Sequence, residues 1–579
     1  MKNRTLPILI AIFITLLYGY LTIYTLPSNT FFTMDNSIRF IHVQSILQNN
    51  FKDIYIKYPG EHLDPNFQFF PIRPPWKTLD LHIFIKNQKA YSMHPIAFPF
   101  LSTYFYKLFG YNGLYLIPIL SSLVSLILIY LLANKIIPQY SLFSLLIMGL
   151  CSPLFFYSLL FWEYTLSIMI SLLIFYLFCN NKAPSKFLYL FIGILLGINS
   201  WIRIETIILS IIIPFTFYFI YPKNTLNTRN VIFLIVGFTL SILPLILYNH
   251  WLYGSAISAH NKYVIKNVSD VQSISSFYSM LHDKLINFYR LWFNGAVSRI
   301  NNAILFILTF AIFLFSIVQK YKKILLFLLI LFLLNSLYIC YRNYLHCITF
   351  ITGLIPVVPY IIFILLVIKK LLQDNHTKYI KFILFSSLSY ILFTSIIADS
   401  DGGNQWGPRY LLSVLPILII LSLYSLSIIK SSSSHPKIYQ GIFFLLCLFS
   451  FFIQCAGFNL LFQGKKSQLV QLKTLENIKS KVVVSYSFGF STENASLFYK
   501  KHFFWVKDQD SLEKLLSLFV KNKINNFCFV SFDESVIKKN KYKSLRWNFN
   551  KIIKEKGYKL NNKIFVSSWY VYNEFSYSL

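Results

Sequence analysis

The sequence predicts a polytopic α-helical membrane protein that ends in a small α/β domain. Hydrophobic residues make up 56% of the chain and charged residues only 13%, about half of the charged fraction that is typical of soluble domains. Apolar stretches of roughly 17–22 residues, the length that crosses the hydrocarbon core of a bilayer, recur along most of the chain. Lipid is therefore predicted to be the solvent for most of the apolar surface.

The predicted spans number about thirteen, judged from the length of the apolar stretches and from the charges between them. The long runs at 139–179 and 187–221 are each divided into a hairpin, and the second division falls at the charged residues Arg203 and Glu205. The predicted spans lie near 6–26, 113–133, 139–157, 160–179, 187–202, 204–221, 231–249, 302–318, 324–340, 348–368, 380–398, 410–429 and 438–458.

Lysine and arginine residues predict the orientation of these spans. If Lys2 and Arg4 lie in the cytoplasm, every second connection is basic, whereas the short connections between them are nearly free of lysine. This alternation follows the positive-inside rule and places the C-terminus on the outer side of the membrane. The net charge of +32 thus reflects inner loops and a basic tail, and no basic-aromatic module that would bind nucleic acid is apparent.

The first predicted outer region, 27–112, is too long to be a simple connection. It begins with Asn36–Asn50, where Phe40, Val43 and Leu47 share one helical face. A short helix with one apolar face next to a span predicts an interfacial helix that lies along the membrane surface.

The C-terminal tail predicts a soluble domain, because strand-like and helix-like segments alternate in it. Strand-like segments lie at 482–488, 525–532 and 564–572, and a helix-like segment lies at 511–524. The predicted organisation is a transmembrane domain over 1–464, with outer loops at 27–112 and 250–301, followed by a soluble extracytoplasmic domain over 465–579.

Polar residues that are costly near a bilayer gather at the outer ends of the predicted spans. Each has an ordinary explanation when taken singly: an acid that begins a helix, a charged turn that reaches interfacial water, or a solvated loop acid. Together they predict an outer cavity suited to an anionic lipid-linked substrate and a hydrophilic acceptor. These residues are Asp35, His94, Glu163, Arg203, Glu205, Arg342, Asp399, Asp401 and Arg409.

The order of these segments resembles the GT-C superfamily of membrane glycosyltransferases over roughly residues 1–460. The resemblance implies a bacterial inner-membrane enzyme of glycan biosynthesis in the cell envelope. Such an enzyme moves a sugar from a polyprenyl-phosphate donor to an extracytoplasmic glycolipid, polysaccharide or protein, with inversion. The segments that carry the resemblance are FFTMDNSIRF (31–40), MHPIAFPFLSTYFYKLFG (93–110), GILLGINSWIRIE (193–205), YNHWLYGS (248–255) and GGNQWGPRYLLSVLPIL (402–418).

The resemblance, together with the chemistry of sugar transfer, implies a role for each polar residue. Asp35 would accept the proton of the acceptor hydroxyl as catalytic base. Guanidinium groups would match the oxygens of the departing phosphate, and the candidates in order are Arg203, Arg409 and Arg342. The remaining substrate-binding candidates are His94, Glu163, Glu205 and Asp401.

Metal dependence is where this sequence departs from the family pattern. Some relatives carry an Asp-Glu pair in the first outer loop, whereas Asp35 is followed here by Asn36. The expectation is therefore that no metal or other cofactor takes part. The pair Asp399 and Asp401 is the candidate for a divalent cation, although Asp-x-Asp is a short and common motif.

Two other functions remain as alternatives. A transporter or flippase of a lipid-linked substrate usually carries charge near the bilayer midplane on broken helices in matching halves. Here most charge lies at the outer ends of the spans, and no two-half symmetry is visible. An O-antigen ligase or polymerase would rely on arginine and histidine in a large late outer loop, rather than on an acid after the first span.

Overall fold

The computed structural model describes residues 5–72, 83–180, 185–220, 228–256, 274–318, 322–345, 350–373, 378–398, 402–403, 405–487, 489–532, 549–566 and 570–577. These residues form two compact units. The helical unit lies within Met1–Thr22, Tyr115–Ile257 and Val264–Leu460, and the mixed unit lies within Ile23–Leu114 and Leu461–Leu579. The first predicted outer loop thus packs with the C-terminal residues, whereas a domain boundary at residue 465 stays a prediction.

Helices make up most of the described chain. In chain order they are α1 (Thr5–Tyr20), α2 (Met34–Gln48), α3 (Ala97–Phe109), α4 (Leu116–Ile136), α5 (Ser141–Leu150), α6 (Leu154–Ser158), α7 (Tyr164–Asn180), α8 (Lys186–Ile202), α9 (Ile207–Ile220), α10 (Thr228–Tyr253), α11 (Ile274–Phe293), α12 (Arg299–Val318), α13 (Lys322–Leu345), α14 (Leu354–Val357), α15 (Ile362–Leu366), α16 (Ile368–Gln373), α17 (Lys378–Ile397), α18 (Leu415–Ser432), α19 (Pro436–Asn477), α20 (Phe490–Glu493), α21 (Gln509–Lys521) and α22 (Phe549–Glu555). The short 3-10 helices include Gly110–Tyr115, Ile204–Thr206 and Arg409–Val414.

Eight of the described helical stretches are long and apolar enough to cross a bilayer, and four further apolar helices are shorter. Their outward faces carry large apolar side chains: Phe13, Leu16 and Ile307 are each more than 60% exposed. Such a surface would drive aggregation in water, but it is the ordinary outer face of a helix that lies in lipid. The predicted fold class, a polytopic helical membrane protein, is confirmed, and the number of spans stays a prediction.

One predicted span is not a continuous helix. The stretch 348–368 is divided among α14, a 3-10 turn at Pro359–Ile361, α15 and the start of α16. Pro359 disfavours the helical conformation at the preceding residue, and Val358 accordingly has φ −132° and ψ 62°. The other predicted spans each overlap one of the apolar helices among the described residues.

The packing of α8 against α10 fixes where α8 ends. A Cβ atom at Gly193 would overlap the backbone oxygen of Leu234, and one at Gly197 would overlap the side chain of Ser241. Glycine therefore lets the two helices approach closely, as small residues four apart commonly do in membranes. The Nε1–H of Trp201 donates to the backbone oxygen of Ser241 at 2.7 Å. These contacts hold the end of α8, which is followed directly by the charged residues 203–205.

The mixed unit contains two sheets. The strands are β1 (Ile83–Lys86), β2 (Lys89–Ser92), β3 (Val482–Ser485), β4 (His502–Trp505), β5 (Asn526–Phe532), β6 (Tyr558–Phe565) and β7 (Tyr570–Tyr577). β1 and β2 form an antiparallel hairpin. The larger sheet has the order β4-β3-β5-β7-β6, in which β3 is parallel to β4 and β5, and β7 is antiparallel to β5 and β6. The predicted small α/β domain is confirmed.

One predicted strand of this domain is wrong. The stretch 564–572 was expected to be a single strand, but β6 ends at Phe565 and β7 begins at Tyr570. The two strands form an antiparallel hairpin. β-branched and aromatic residues lie on both sides of the turn, so strand propensity predicts one uninterrupted strand there. Strand β4 has no counterpart in the sequence prediction.

The predicted helix at Asn36–Asn50 is present as α2, but it is a buried helix rather than a surface helix. It packs against α3 and α20 within the mixed unit. Most of its residues, polar and apolar alike, are buried, and Gln48 at its C-terminal end is exposed. The buried residues of α2 are Asn36, Ser37, Ile38, Arg39, Phe40, Ile41, His42, Val43, Ser45 and Ile46.

Candidate active site

A cluster of one arginine and two carboxylates lies in the helical unit. Arg203 follows α8 in an extended conformation (φ −139°, ψ 112°). Its Nη1 donates to Oε1 of Glu163 at 2.9 Å, while its Nε and Nη2 approach Oε1 of Glu205 at 2.8 and 2.7 Å. The guanidinium also lies 4.3 Å from the centroid of the Tyr164 ring. Glu163 is almost completely buried, and the other two side chains are 12% exposed.

This arrangement limits what Arg203 can do. A guanidinium has five N–H donors, and at least three of them are engaged by the two carboxylates. Breaking a buried ion pair is costly because it leaves a charge without its partner. Bidentate capture of a phosphate by Arg203 would thus require displacement of a carboxylate. The geometry favours a positioning role for Arg203, whose charge is balanced by its two carboxylate partners.

Arg409 lies against aromatic side chains. It begins the 3-10 helix that leads into α18, and its Nη2 donates to the hydroxyl of Tyr410 at 3.1 Å. Its guanidinium carbon is 5.0 Å from the Tyr410 ring centroid and 6.0 Å from that of Trp162, which is cation–π range. The hydroxyl of Tyr390 donates to the backbone oxygen of Tyr410 at 2.9 Å and steadies this turn.

Three buried aromatic side chains connect the two arginines. The ring centroids of Tyr157, Trp162 and Tyr164 are 4.6–5.8 Å apart. Tyr164 contacts Arg203, and Trp162 contacts Arg409. The structure therefore brings together four of the predicted site residues, Glu163, Arg203, Glu205 and Arg409, on one aromatic cluster. These aromatic residues were not among the predicted site residues, although Trp162 and Tyr164 flank Glu163 in the sequence.

Two predicted site residues lie elsewhere or are not described. Arg342 is exposed in the last turn of α13. Asp401 and its neighbour Asp399 lie outside the described residues, so the proposed Asp-x-Asp cation site does too. Within the described ranges, no group of three or more His, Cys, Asp or Glu side chains could hold a metal ion.

Asp35 occupies the first turn of α2, in the mixed unit. Thr33 caps this helix, because its side chain accepts from the backbone N–H of Asn36. The N-terminus of a helix favours negative charge, which suits an acidic residue at this position. That side chain is 24% exposed, and its Oδ1 lies 3.8 Å from Nε2 of His94. The structure thus brings Asp35 and His94 together.

The backbone at Asp35 is held by buried contacts. Arg39 is 2% exposed, and its Nη1 donates to the backbone oxygen of Asp35 at 2.9 Å. The backbone N–H of Phe31 donates to Oε1 of Gln468 at 2.9 Å. Residues before and after Asp35 are therefore fixed by the helix itself and by the C-terminal part of α19.

Glu493 is a carboxylate beside the start of α2 that was not among the predicted site residues. A Cβ atom built on Gly489 would lie 3.6 Å from Sδ of Met34 and 3.7 Å from Oε1 of Glu493, so the carboxyl group lies close to the start of α2. The residue is half-buried, but its carboxyl group is surrounded by protein. This desolvation raises the pKa of Glu493 to about 7, against an opposing effect of its hydrogen bond with Tyr570.

No local sequence signal could have found Glu493. It ends a single-turn helix, FSTE, which has no periodicity, and it reaches α2 only through the packing of the tail against the first loop.

The raised pKa of Glu493 predicts a pH-dependent stability. Burial favours the neutral form of the Glu493 carboxyl group in the folded state. The contribution of this group to the free energy of unfolding is therefore fully present below its ordinary pKa of about 4.5 and is lost as pH rises through about 7. We expect Glu493→Gln, which mimics the neutral form, to gain stability relative to wild type between pH 5 and pH 8. The gain should reach about 3 kcal/mol at most. Thermal unfolding of the detergent-solubilised protein at several pH values measures it, and a wild-type-to-variant difference that is constant over this range would contradict the assignment.

Comparisons with known proteins give structural likenesses of low identity. No protein-family model matches the chain, and no curated protein does. ArnT from Cupriavidus metallidurans bound to undecaprenyl phosphate is similar with a TM-score of 0.49 and 9% identity, over 99% of this chain and 98% of that chain.

Archaeal oligosaccharyltransferase structures are similar to the same degree. The Archaeoglobus fulgidus enzyme in complex with Zn and sulfate has a TM-score of 0.48 and 12% identity, over 93% of this chain and 69% of that chain. AglB from Archaeoglobus fulgidus in complex with an inhibitory peptide and a dolichol-phosphate has a TM-score of 0.47 and 10% identity, over 93% and 70%. At TM-scores below 0.5, these likenesses carry no argument about the chemistry of this chain.

Proposed function

We propose that the protein is a membrane glycosyltransferase of the GT-C type, which transfers a sugar from a polyprenyl-phosphate donor to an extracytoplasmic acceptor. The observation that carries the proposal is the cluster of Arg203, Arg409, Glu163 and Glu205 at the ends of apolar helices. Guanidinium groups beside lipid-facing helices suit a ligand that has a phosphate head and an apolar tail. The motifs that resemble the GT-C superfamily contribute Arg203 and Arg409 to this cluster and Asp35 to the mixed unit.

In this proposal, Arg409 binds the phosphate of the donor. Its guanidinium lies in cation–π range of the Trp162 and Tyr410 rings and donates to the Tyr410 hydroxyl, so it is set among aromatic groups at the start of the 3-10 helix. A guanidinium can donate to two phosphate oxygens at once, and it meets the charge that gathers there as the sugar leaves. Arg203 is held by Glu163 and Glu205 and acts as a positioning residue, because it stacks on Tyr164 in the aromatic cluster that contacts Arg409.

Asp35 acts as the general base toward the acceptor. An acceptor hydroxyl gives its proton to the Asp35 carboxylate while its oxygen forms a bond to the anomeric carbon. The bond between that carbon and the phosphate oxygen breaks, and the polyprenyl phosphate leaves with the electron pair. A single displacement of this kind inverts the anomeric configuration. His94 contributes to substrate binding beside this carboxylate, since its Nε2 lies 3.8 Å from Oδ1, beyond the distance of a direct hydrogen bond.

The proposal includes a location and a cofactor requirement. The spans lie in a bacterial inner membrane, with the N-terminus in the cytoplasm and the C-terminal domain outside, as the distribution of lysine indicates. Transfer needs neither a metal nor another cofactor in this proposal, because the Arg409 guanidinium meets the charge on the leaving phosphate. Asp401 contributes to substrate binding from the segment before Arg409.

The base is tested by Asp35→Asn, which keeps the size of the side chain but removes its proton acceptor. We expect sugar transfer by the purified protein, with membrane extracts as the source of donor and acceptor, to fall about 100-fold or more. The matched control is Asp53→Asn, an exposed aspartate of the same unit, which should transfer at the wild-type rate. Equal activity of Asp35→Asn and wild type would place the base elsewhere.

The phosphate site is tested by comparing Arg409→Gln with Arg342→Gln in a donor-lipid binding assay. Loss of a charge-assisted contact to phosphate should weaken donor binding by about 10-fold or more for Arg409→Gln. Arg342 is exposed and outside the aromatic cluster, so its variant should bind the donor like wild type. If Arg342→Gln weakens binding and Arg409→Gln does not, the phosphate assignment is wrong.

A further inference from the structure

A groove in the mixed unit has no role in the chemistry described above. Two neighbouring cavities of about 220 and 390 Å³ share the lining residues Tyr55, Tyr58 and Glu61. Because three residues line both cavities, the two adjoin, and we call the pair the Tyr55 groove. The larger part falls within the range of about 300–1,000 Å³ that is usual for small-molecule sites.

Three separate parts of the chain form this groove. The first is the loop that follows α2 and contains Tyr55 and Glu61, and the second is the turn of the β1–β2 hairpin at residues 87–89. The third comprises Tyr499 and His502 from the C-terminal part of the chain. The first outer loop and the C-terminal domain each contribute side chains, so the groove exists only when the two are packed together.

One wall of the groove is held rigidly by a buried carboxylate. Asp64 is 2% exposed and accepts from the hydroxyl of Tyr58 at 3.2 Å and from the backbone N–H groups of Gln68 and Phe69 at 2.8 and 2.7 Å. The same loop holds Phe67 at φ +55°, a conformation that is strained for a bulky side chain. Strained backbone persists where surrounding structure enforces it, often at ligand sites.

The opposite wall presents polar side chains. Asn87 and Gln88 both have positive φ, as a two-residue hairpin turn requires, and both side chains are exposed at the groove. Their amide groups can each donate and accept. The ammonium of Lys89 lies 4.5 Å from the centroid of the Tyr55 ring. A hydrogen-bond donor and an aromatic surface are therefore adjacent in the groove.

The far end of the groove includes an imidazole. Burial, with nearby His62 and Lys481, lowers the pKa of His502 below its ordinary value. The neutral ring has one donor and one acceptor nitrogen. It therefore suits an uncharged hydroxyl group better than an anion.

These features together indicate a hydroxyl-rich ligand. The groove is lined by tyrosine rings together with amide, carboxyl, ammonium and imidazole groups. It therefore offers hydrogen-bond donors, hydrogen-bond acceptors and flat apolar faces in a small space. A saccharide has the complementary surface, because its hydroxyl groups donate and accept while its C–H faces pack on aromatic rings. The mixture of Lys57 and Lys89 with Glu61 is unlike a site for a polyanion, which would be lined by basic residues alone.

We propose that the Tyr55 groove binds a short saccharide, the glycan part of the acceptor. The identification as acceptor rests on the proposed glycosyltransferase function, whereas the binding of saccharide rests on the groove itself. The acceptor class is then a glycolipid or an envelope polysaccharide rather than an unglycosylated protein.

The test is binding of the purified full-length protein, in detergent, to an array of immobilised oligosaccharides of bacterial envelopes, with an array of unglycosylated peptides beside it. Glu61→Gln is the principal variant, because Glu61 is exposed and its replacement leaves the fold intact. Tyr55→Ala is the second variant. The matched control is Glu513→Gln, an exposed glutamate on α21, away from the groove.

We expect wild type and Glu513→Gln to bind the same oligosaccharides, and both groove variants to bind them at least 10-fold more weakly. The proposal is overturned if wild type binds no oligosaccharide, if it binds peptides instead, or if the groove variants bind like wild type. The array contains no donor and needs no turnover. Wild type that binds oligosaccharides but transfers no sugar would therefore contradict the proposed function and leave the groove assignment intact.

Discussion

The ion pairs of Arg203 with Glu163 and Glu205 are the interaction on which the arrangement of the helical unit depends. Charged groups beside apolar helices are costly unless they are paired and hydrogen-bonded. The pairing connects the end of α8 with the turn before α7, while the glycines of α8 keep that helix against α10. Arg203 is in turn stacked on Tyr164, whose aromatic neighbours contact Arg409. A charged site can thus persist in a charge-poor unit because each charge has a defined partner.

The mixed unit follows a different principle, in which a buried helix positions one carboxylate. Helix α2 is enclosed by protein, and its N-terminus presents Asp35 with partial exposure. The C-terminal domain contributes to this enclosure, since α20 packs on α2 and brings Glu493 near its first residue. Buried Asp64 holds the loop after α2 in its conformation by accepting three hydrogen bonds. The tail is therefore part of the surroundings of Asp35 rather than an appended module.

The sequence predicted much of this structure, and its failures have physical reasons. The lengths of the apolar runs predicted the membrane-spanning helices. The cost of charge near lipid predicted that Glu163, Arg203, Glu205 and Arg409 belong to a site. The broken stretch 348–368 was missed because hydropathy records apolar length and ignores the effect of Pro359 on the backbone. The hairpin within 564–572 was missed because strand propensity does not mark a turn between two β-rich segments. Glu493 and the Tyr55 groove arise from contacts between distant segments, which no local pattern contains.

The central claim is that the protein breaks a sugar–phosphate bond and forms a glycosidic bond. The most direct test uses proteoliposomes that contain the purified protein, a radiolabelled polyprenyl-phosphate sugar and an envelope glycolipid acceptor. The account predicts one polyprenyl phosphate released for each sugar transferred, with the anomeric configuration of the product inverted. Movement of the intact donor across the bilayer, with no free polyprenyl phosphate and no labelled acceptor, would contradict it and indicate transport.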